Sequence, residues 1–149
     1  MRHRVSGHQF NRDSNARKGL ILSLVSNLAI YGAITTTRPM AKEAARHMEK
    51  LITKAKKGDL ASRRVLHRFF GKRKLVNLMV DQIAPTFADK NSGFTVITAL
   101  GERRGDSTPL YSLKFATPII ERTKPAVNKF KRSVKKPVAK KPAPKTKKA

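Results

Sequence analysis

The amino-acid sequence predicts an α+β fold, and three observations support this prediction. Apolar residues between 20 and 83 recur at the spacing of α-helices, with breaks at glycine and proline. Residues 34–37 form the β-branched segment ITTT, and residues 94–115 contain two strand-like segments on either side of a loop. Helices that precede strands in this way are typical of α+β domains. We expect a small mixed sheet, made of the short strand near 34–37 and the C-terminal hairpin, with helices packed on one face.

The first predicted helix runs from a cap at Asp13 or Ser14 to about Tyr31. Polar residues interrupt one of its sides, which indicates an amphipathic core helix. The apolar positions expected to face the core are Ile21, Leu24, Val25, Leu28 and Tyr31. The same interruption argues against a secretory signal peptide, whose apolar segment is continuous and follows a shorter charged start.

Three further helices are predicted between the ITTT strand and the hairpin. The second helix begins after a cap at Thr37 and ends at Gly58. The third begins after Asp59 and ends before Gly71. The fourth is expected to stop before Pro85, because proline lacks an N–H and its ring clashes with the preceding helical turn.

The C-terminal part of the sequence contains the predicted hairpin and a low-complexity tail. The strands FTVITAL and LYSLKF flank a loop at residues 101–109, GERRGDSTP. Residues 123–149 consist mainly of Lys, Pro and Ala, which bury too little apolar surface to offset the loss of chain entropy. We therefore divide the chain into a folded domain of residues 1–122, with an N-terminal arm at 1–13, and a disordered tail at 123–149.

The charge of the chain is strongly positive. Its 149 residues contain 34 Lys and Arg against 9 Asp and Glu, which gives a formal net charge of +25. Such a charge opposes compaction unless a polyanion neutralises it, and nucleic acid is the first candidate for that polyanion. An anionic membrane surface is the second candidate. No apolar window reaches the length of a membrane span, and the second helix has mostly Ala and Met where a membrane-bound helix needs bulky anchors. We expect nucleic acid and no membrane.

No residue pattern indicates catalysis. The chain lacks cysteine, its four histidines are scattered, and it has no GxxxxGK[ST] phosphate loop. Arg104-Gly105-Asp106 spells a cell-adhesion tripeptide, which we interpret as a solvated turn in which Asp106 bonds to the local backbone. We expect no enzymatic activity, no metal, no cofactor and no small-molecule substrate.

The basic residues are the positive signal for function. In an average protein a charged face is simply solvated, but here too few acids are present to neutralise it, and residues 60–80 contain none. Four clusters and the start of the first helix are therefore candidates for phosphate contact. They are the arm (Arg2, His3, Arg4, His8, Asn11, Arg12), the first helix (Arg17, Lys18), the second helix (Lys42, Arg46, Lys50, Lys54, Lys57), the short helices (Arg63, Arg64, Arg68, Lys72, Arg73, Lys74) and the hairpin loop (Arg103, Arg104).

The arm differs in kind from the tail. It combines Arg and His with Gln9, Phe10 and Asn11, whereas the tail carries Lys among Pro and Ala. Arginine binds phosphate bidentately and stacks on bases, and side-chain amides reach base edges and 2′-hydroxyls. We expect the arm to fit a folded RNA surface and the tail to act as a diffuse counter-ion.

Several short motifs occur in order along residues 1–116. They are MRHR at 1–4, Gly7, Asn11-Arg12, the ITTT-x-P-x-AKE run at 34–43, Glu49, LIT at 51–53, GFT at 93–95 and RRGD at 103–106 with Pro109. Together they resemble the family of the bacterial large-subunit ribosomal protein seventeen. The resemblance implies an α+β fold and a structural role in the large subunit. It also implies contact with the large ribosomal RNA and with neighbouring ribosomal proteins, near the nascent-chain exit.

The function predicted from these observations is that of a structural constituent of the large ribosomal subunit in the cytoplasm. It would bind ribosomal RNA through the arm and the basic clusters, with an affinity that falls steeply as salt rises. One alternative is a DNA-compacting chromatin-type protein, since Lys-Pro-Ala tails are common in that class. Another is a nucleic-acid-modifying enzyme, which needs a clustered acid or His site that Asp81, Asp89, Glu102 and Asp106 do not form.

Overall fold

In the computed structural model, which describes residues 7–119, helices pack against one face of a three-stranded sheet. The elements follow in the order α1 (Ser14–Tyr31), β1 (Ala33–Thr37), α2 (Arg38–Ala55), α3 (Leu60–Phe70), α4 (Arg73–Asn77), a π-helical segment (Leu78–Ile83), α5 (Ala84–Thr86), β2 (Thr95–Glu102) and β3 (Pro109–Phe115). The α+β class is therefore confirmed. The predicted tail at 123–149 lies outside the described residues.

The sheet has β3 in its centre, with β1 on one side and β2 on the other. Both neighbours pair with β3 in the antiparallel sense, as in the pairs Ile34 with Leu113 and Ile97 with Leu113. The prediction of a mixed sheet is wrong in this respect. The strands β1 and β2 do run in the same direction, but β3 lies between them, so no parallel pair forms.

The core surrounds α2, which packs against the sheet and against α1 and α3. Ala41, Ala44, Met48 and Ile52 are fully buried along one side of α2, and the two alanines let the helix approach the strands closely. An aromatic cluster of Phe87, Phe94 and Phe115 connects the end of the helical region to the hairpin. Phe87 lies 5.3 Å from Phe94 and 5.9 Å from Phe115 between ring centroids, within the range of favourable aromatic pairs. This core fixes the polar side of α2 toward solvent.

Helix α1 is capped by Asp13, whose Oδ1 accepts a hydrogen bond from the backbone N–H of Ala16 at 3.3 Å. Its burial differs from the expected stripe, because Val25, Leu28 and Ala29 are buried whereas Tyr31 is 63% exposed. The placement of Tyr31 in the core is therefore wrong. The apolar residues of α1 surround the helix, and in its last turn Leu28 and Ala29 are buried while Tyr31 faces solvent.

The fourth helical region passes Pro85, so the predicted stop before that residue is also wrong. The N–H of Ala84 donates to the carbonyl of Met79, five residues back, which is the hydrogen bond of a π-helix. The chain returns to α-helical geometry at Ala84, and Pro85 then lies in the first turn of α5. Proline is tolerated there because a first-turn N–H has no partner within the helix.

Candidate nucleic-acid interface

The second and third helices bring two of the basic clusters together. A groove of about 330 Å³ separates α2 from α3, and residues from both helices line it. Its cationic residues are Lys50 and Lys54 from α2 and Arg68 from α3, all exposed. None of the described residues that line the groove is acidic. We name it the α2–α3 groove; it is a concave surface on which all the charged lining residues are cationic.

Two arginines that the sequence assigned to the same clusters have acidic partners. Arg63 places Nη2 3.2 Å from Asp81 Oδ1 and Nη1 3.5 Å from Asn77 Oδ1, and so connects α3 to the fourth helical region. Arg46 Nη1 lies 3.5 Å from Oε1 of Glu43, whose residue is buried. The positive charge of these two arginines is therefore partly neutralised by acidic residues of the protein itself.

The remaining bases of the predicted second-helix and short-helix clusters are exposed. They are Lys42, Lys57, Arg64, Lys72, Arg73 and Lys74. They form none of the ion pairs found within residues 7–119, which join Arg46 to Glu43, Arg63 to Asp81 and Arg103 to Asp106. Their positive charge is therefore available to an external anion.

The described part of the arm forms a turn that leads into α1. The N–H of Arg12 donates to the Gln9 carbonyl at 3.2 Å, while Phe10 and Asn11 have φ values of 57° and 49°. His8 and Phe10 form an aromatic pair with centroids 5.7 Å apart. His8, Gln9, Asn11 and Arg12 are exposed in this turn, so it presents one cation, two amides and an aromatic pair.

The arm also contacts the body of the protein. Gly7, at φ 118°, lies so close to α2 that a Cβ there would be 4.0 Å from Oε1 of Glu43. Beyond the arm, Arg17 is half-buried and Lys18 is exposed in the first turns of α1. The predicted contacts of Arg2, His3 and Arg4 lie outside the described residues.

In the hairpin loop, one of the two arginines is hydrogen-bonded to a carboxylate of the same loop. Arg103 Nε donates to Asp106 Oδ1 at 3.1 Å, and Arg103 Nη2 donates to Oδ2 of the same carboxylate. The backbone N–H of Thr108 also donates to Asp106 Oδ1 at 3.3 Å, as expected for a turn bonded to local backbone. These bonds, led by that of Arg103, lower the pKa of Asp106 far below its usual range. Arg104 is exposed and takes no part in this network.

Two residues of the α2–α3 groove were missed as site candidates. Phe69 is not among the predicted contacts, yet it is half-buried and lines the groove beside His47. The signal was present, because adjacent residues on a helix point about 100° apart, and Phe69 and Phe70 cannot both face the core. His47, Lys50, Leu51 and Lys54 likewise share one edge of α2 at the spacing i, i+3, i+4, i+7.

His47 differs from an ordinary surface histidine. Its pKa is lowered, mainly because burial disfavours the charged ring; Lys50 and Arg46 add to this effect, and Glu43 opposes it. The ring is therefore neutral at neutral pH and has one donor and one acceptor nitrogen. The groove consequently contains three cations and a neutral aromatic ring.

Metal binding and membrane spanning are two alternatives that the described residues can be checked for. Within residues 7–119 no group of three or more His, Asp or Glu could hold a metal ion. No helix in this part of the chain is long and apolar enough to cross a membrane.

Comparison with known proteins is consistent with this geometry. The family model described as ribosomal protein L17 matches residues 20–116. The chain belongs to the ribosomal protein L17 family. The large-subunit protein bL17 of Coprothermobacter proteolyticus is 41% identical over 109 residues, which cover 73% of this chain and 93% of that protein. The bL17 proteins of Thermodesulfovibrio yellowstonii and Thermus thermophilus are 42% and 43% identical, over 77% and 74% of this chain and 86% and 94% of their own lengths.

Membership of this family confirms several predictions. The resemblance drawn from the motifs is confirmed, and the chain is a structural, non-enzymatic constituent of the large ribosomal subunit in the cytoplasmic ribosome. The matched region begins after the arm and ends before the tail, so it covers the helices and the sheet that carry the α2–α3 groove.

Proposed function

We propose that this member of the ribosomal protein L17 family binds large-subunit ribosomal RNA, with the α2–α3 groove at the centre of the contact. One observation carries the proposal: Lys50, Lys54 and Arg68 from two helices converge on one groove that no acid lines. Three cations held close together repel one another, and a phosphate chain that lies between them removes that repulsion. Neutralised phosphates release condensed counter-ions, which drives binding and makes it salt-dependent.

The exposed bases around the groove extend the proposed contact. Lys42 on α2, Arg64 on α3 and Arg73 on α4 are exposed and lie on the same helices as the groove residues or on the next one. Arg46 and Arg63 have a second role, because each also holds an acidic partner within the protein. We assign Arg63 chiefly to positioning α3 and the free cations to phosphate.

The arm and the hairpin loop supply two further proposed contacts. In the arm, His8, Asn11 and Arg12 are exposed beside Phe10, a combination that suits looped bases and 2′-hydroxyls. Arg17 and Lys18 follow on α1, and Arg2, His3 and Arg4 precede them in the sequence. In the loop, Arg104 is proposed to contact RNA while Arg103 holds the turn. The boundaries at 1–13, 1–122 and 123–149 stay predictions, as does contact with neighbouring ribosomal proteins.

The first test of this proposal removes the groove cations together. We expect the variant Lys50→Ala/Lys54→Ala/Arg68→Ala to bind purified large-subunit ribosomal RNA more weakly. The slope of log affinity against log salt should fall by about 2 if each lost phosphate contact contributes roughly 0.7–0.9. Filter binding over a series of salt concentrations measures this slope.

The matched control removes equal charge elsewhere. Arg38, Lys90 and Lys114 are exposed, lie outside the groove and are not among the proposed contacts, so their joint change to Ala lowers the net charge by the same amount. A smaller loss of slope in this control supports a localised interface. Equal losses in the two variants would mean that only the overall charge matters, and the proposal would fail.

The alternative of a DNA-compacting chromatin-type protein has no observation in its favour among the described residues. It rested on the composition of the tail, whereas the matched family is ribosomal. The filter-binding assay with duplex DNA in place of ribosomal RNA separates the two functions. The proposal expects tighter binding to RNA at equal salt.

A further inference from the structure

The α2–α3 groove has an aromatic wall as well as a cationic rim. The rings of His47 and Phe69 both line it, with centroids 6.2 Å apart and planes inclined by 24°. Phe69 is held from behind by the buried Phe70, whose ring meets it edge-on at 5.1 Å. Leu51, also buried, contributes to the floor. His47 and Phe69 are both half-buried, so part of each side chain remains accessible in the groove.

The charges around this wall restrict what can occupy the groove. Lys50, Lys54 and Arg68 line it, and none of them belongs to an ion pair found within residues 7–119. An apolar peptide would cover these cations without supplying counter-charge, which costs free energy. A nucleotide supplies both an aromatic ring for the wall and phosphates for the rim. Every base has a π face, so this recognition tolerates different bases.

The size of the groove favours a single nucleotide over a helix. Its volume of about 330 Å³ lies near the lower end of the range for small-ligand sites, roughly 300–1,000 Å³. An RNA duplex keeps its bases stacked inside, and its shallow groove edges cannot enter such a cleft. Bases in loops and bulges are splayed out and can stack on aromatic side chains.

We propose that the α2–α3 groove binds one unstacked base of single-stranded or looped RNA, with the base against Phe69 and His47 and the flanking phosphates on Lys50, Lys54 and Arg68. The inference rests on the proposed RNA binding and goes beyond it by naming a looped nucleotide, rather than duplex backbone, as the ligand of this groove. His47 is neutral there and offers the base a hydrogen-bond donor and an acceptor without adding a fourth positive charge.

A fluorescence experiment tests the stacking directly. The chain contains no tryptophan, so Phe69→Trp introduces a single reporter at the wall of the groove. We expect single-stranded oligoadenylate to quench this fluorescence, because the base contacts the indole. Inorganic polyphosphate and an RNA duplex should bind the same cations with little quenching. Tyr31→Trp places the reporter on an exposed aromatic position outside the groove and should be quenched much less.

An affinity measurement with a smaller side chain complements the fluorescence. Phe69→Leu keeps an apolar contact with Phe70 but removes the π face, so the fold is expected to survive, as thermal melting would verify. Its affinity for oligoadenylate should fall at least about fivefold, the lower end of what one stacked base contributes. Its affinity for polyphosphate should stay unchanged, because the three cations remain.

The outcomes separate this inference from the proposed function. If polyphosphate quenches Phe69→Trp as strongly as oligoadenylate does, or if Tyr31→Trp is quenched equally, the groove is not a base site and the inference is wrong. An unchanged oligoadenylate affinity in Phe69→Leu also overturns it. In each of these cases RNA binding through the cations stands. If the unmodified chain binds neither oligoadenylate nor ribosomal RNA, the proposed function itself fails.

Discussion

The hairpin loop and the α2–α3 groove are both rich in cations, but their electrostatic organisation is opposite. In the loop, Asp106 lies three residues after Arg103 and accepts hydrogen bonds from its Nε and Nη2. In the groove, Lys50, Lys54 and Arg68 come from two helices, and no acid lines the space between them. The comparison shows that the count of basic residues overstates the binding capacity of the loop. A cation that pairs with a nearby carboxylate stabilises the local structure, whereas a cation without such a partner is available to bind an external anion.

The same comparison explains how the loop can still contribute. The carboxylate of Asp106 joins Arg103 and Thr108, which fixes the turn between β2 and β3. Ser107 has a φ of 49° and Gly105 a φ of 105°, a backbone course that these local bonds maintain. A fixed turn loses less conformational entropy on binding, so Arg104, the loop arginine outside the ion pair with Asp106, is presented at lower cost.

The largest expected effect concerns the arm and the tail, which are both basic but differ most in composition. Joint change of Arg2, Arg4 and Arg12 to Ala should reduce incorporation into large subunits more than deletion of residues 135–149. The deletion removes more basic residues than the arginine variant does. All of them are Lys, however, and they lie in a Lys-Pro-Ala sequence without amides or aromatics. Quantitative mass spectrometry of purified large subunits measures both variants. Equal or reversed losses would remove the distinction between arm and tail.

A smaller effect separates the two arginines of the loop. Arg104→Ala should lower the slope of log affinity for ribosomal RNA against log salt by about 0.9, the value for one phosphate contact. Arg103→Ala should leave this slope almost unchanged, because its charge is already paired with Asp106. Filter binding at several salt concentrations compares the two variants. A loss in Arg103→Ala as large as that in Arg104→Ala would show that the internal pair does not persist on RNA.

The next effect concerns stability within α3, where two adjacent arginines have different partners. Arg63→Met should lower the free energy of unfolding by about 1 kcal/mol, because its contacts with Asp81 and Asn77 are largely solvent-accessible. Arg64→Met, the matched control, should leave stability nearly unchanged and weaken RNA binding instead. Urea unfolding followed by circular dichroism measures the difference. Equal losses of stability would contradict the positioning role of Arg63.

The smallest effect is a pH dependence that arises from His47. Its pKa is lowered in the folded state, mainly by burial, so the unfolded chain binds a proton there more readily. Stability should therefore fall as pH decreases below the ordinary histidine pKa of about 6.5 toward the folded value. Protonation would also place a charge beside Lys50, Arg46 and Arg68, which the single carboxylate of Glu43 only partly offsets. His47→Gln should flatten the pH profile of the melting temperature between pH 7 and pH 5; an unaltered profile would exclude His47 as the cause.

Much of the fold could be predicted from the sequence because its boundaries are local. Asp13 caps α1, Pro39 lies in the first turn of α2, and Gly71 ends α3 with a φ of 68°. The predictions were wrong where the structure depends on contacts between residues that are far apart in the sequence. Whether the sheet is mixed or antiparallel depended on which strand lies in the middle, and the exposure of Tyr31 depended on which side of α1 the rest of the protein covers.

The candidate site shows the same division. The clusters on α2 and α3 were visible as spacing, and the pairing of Arg103 with Asp106 follows a local i, i+3 relation. The pairing of Arg63 with Asp81, eighteen residues apart, depends on the packing of α3 against the fourth helical region. The groove itself could not be predicted, because it exists only where α2 and α3 meet.

The central claim is that ribosomal RNA covers the cations of the α2–α3 groove, and lysine acetylation in purified large subunits tests it most directly. We predict that Lys50 and Lys54 react readily in the free chain, are protected in the subunit, and become reactive again after ribonuclease treatment. If they react in the intact subunit as they do in the free chain, or stay protected once the RNA is digested, the account is contradicted.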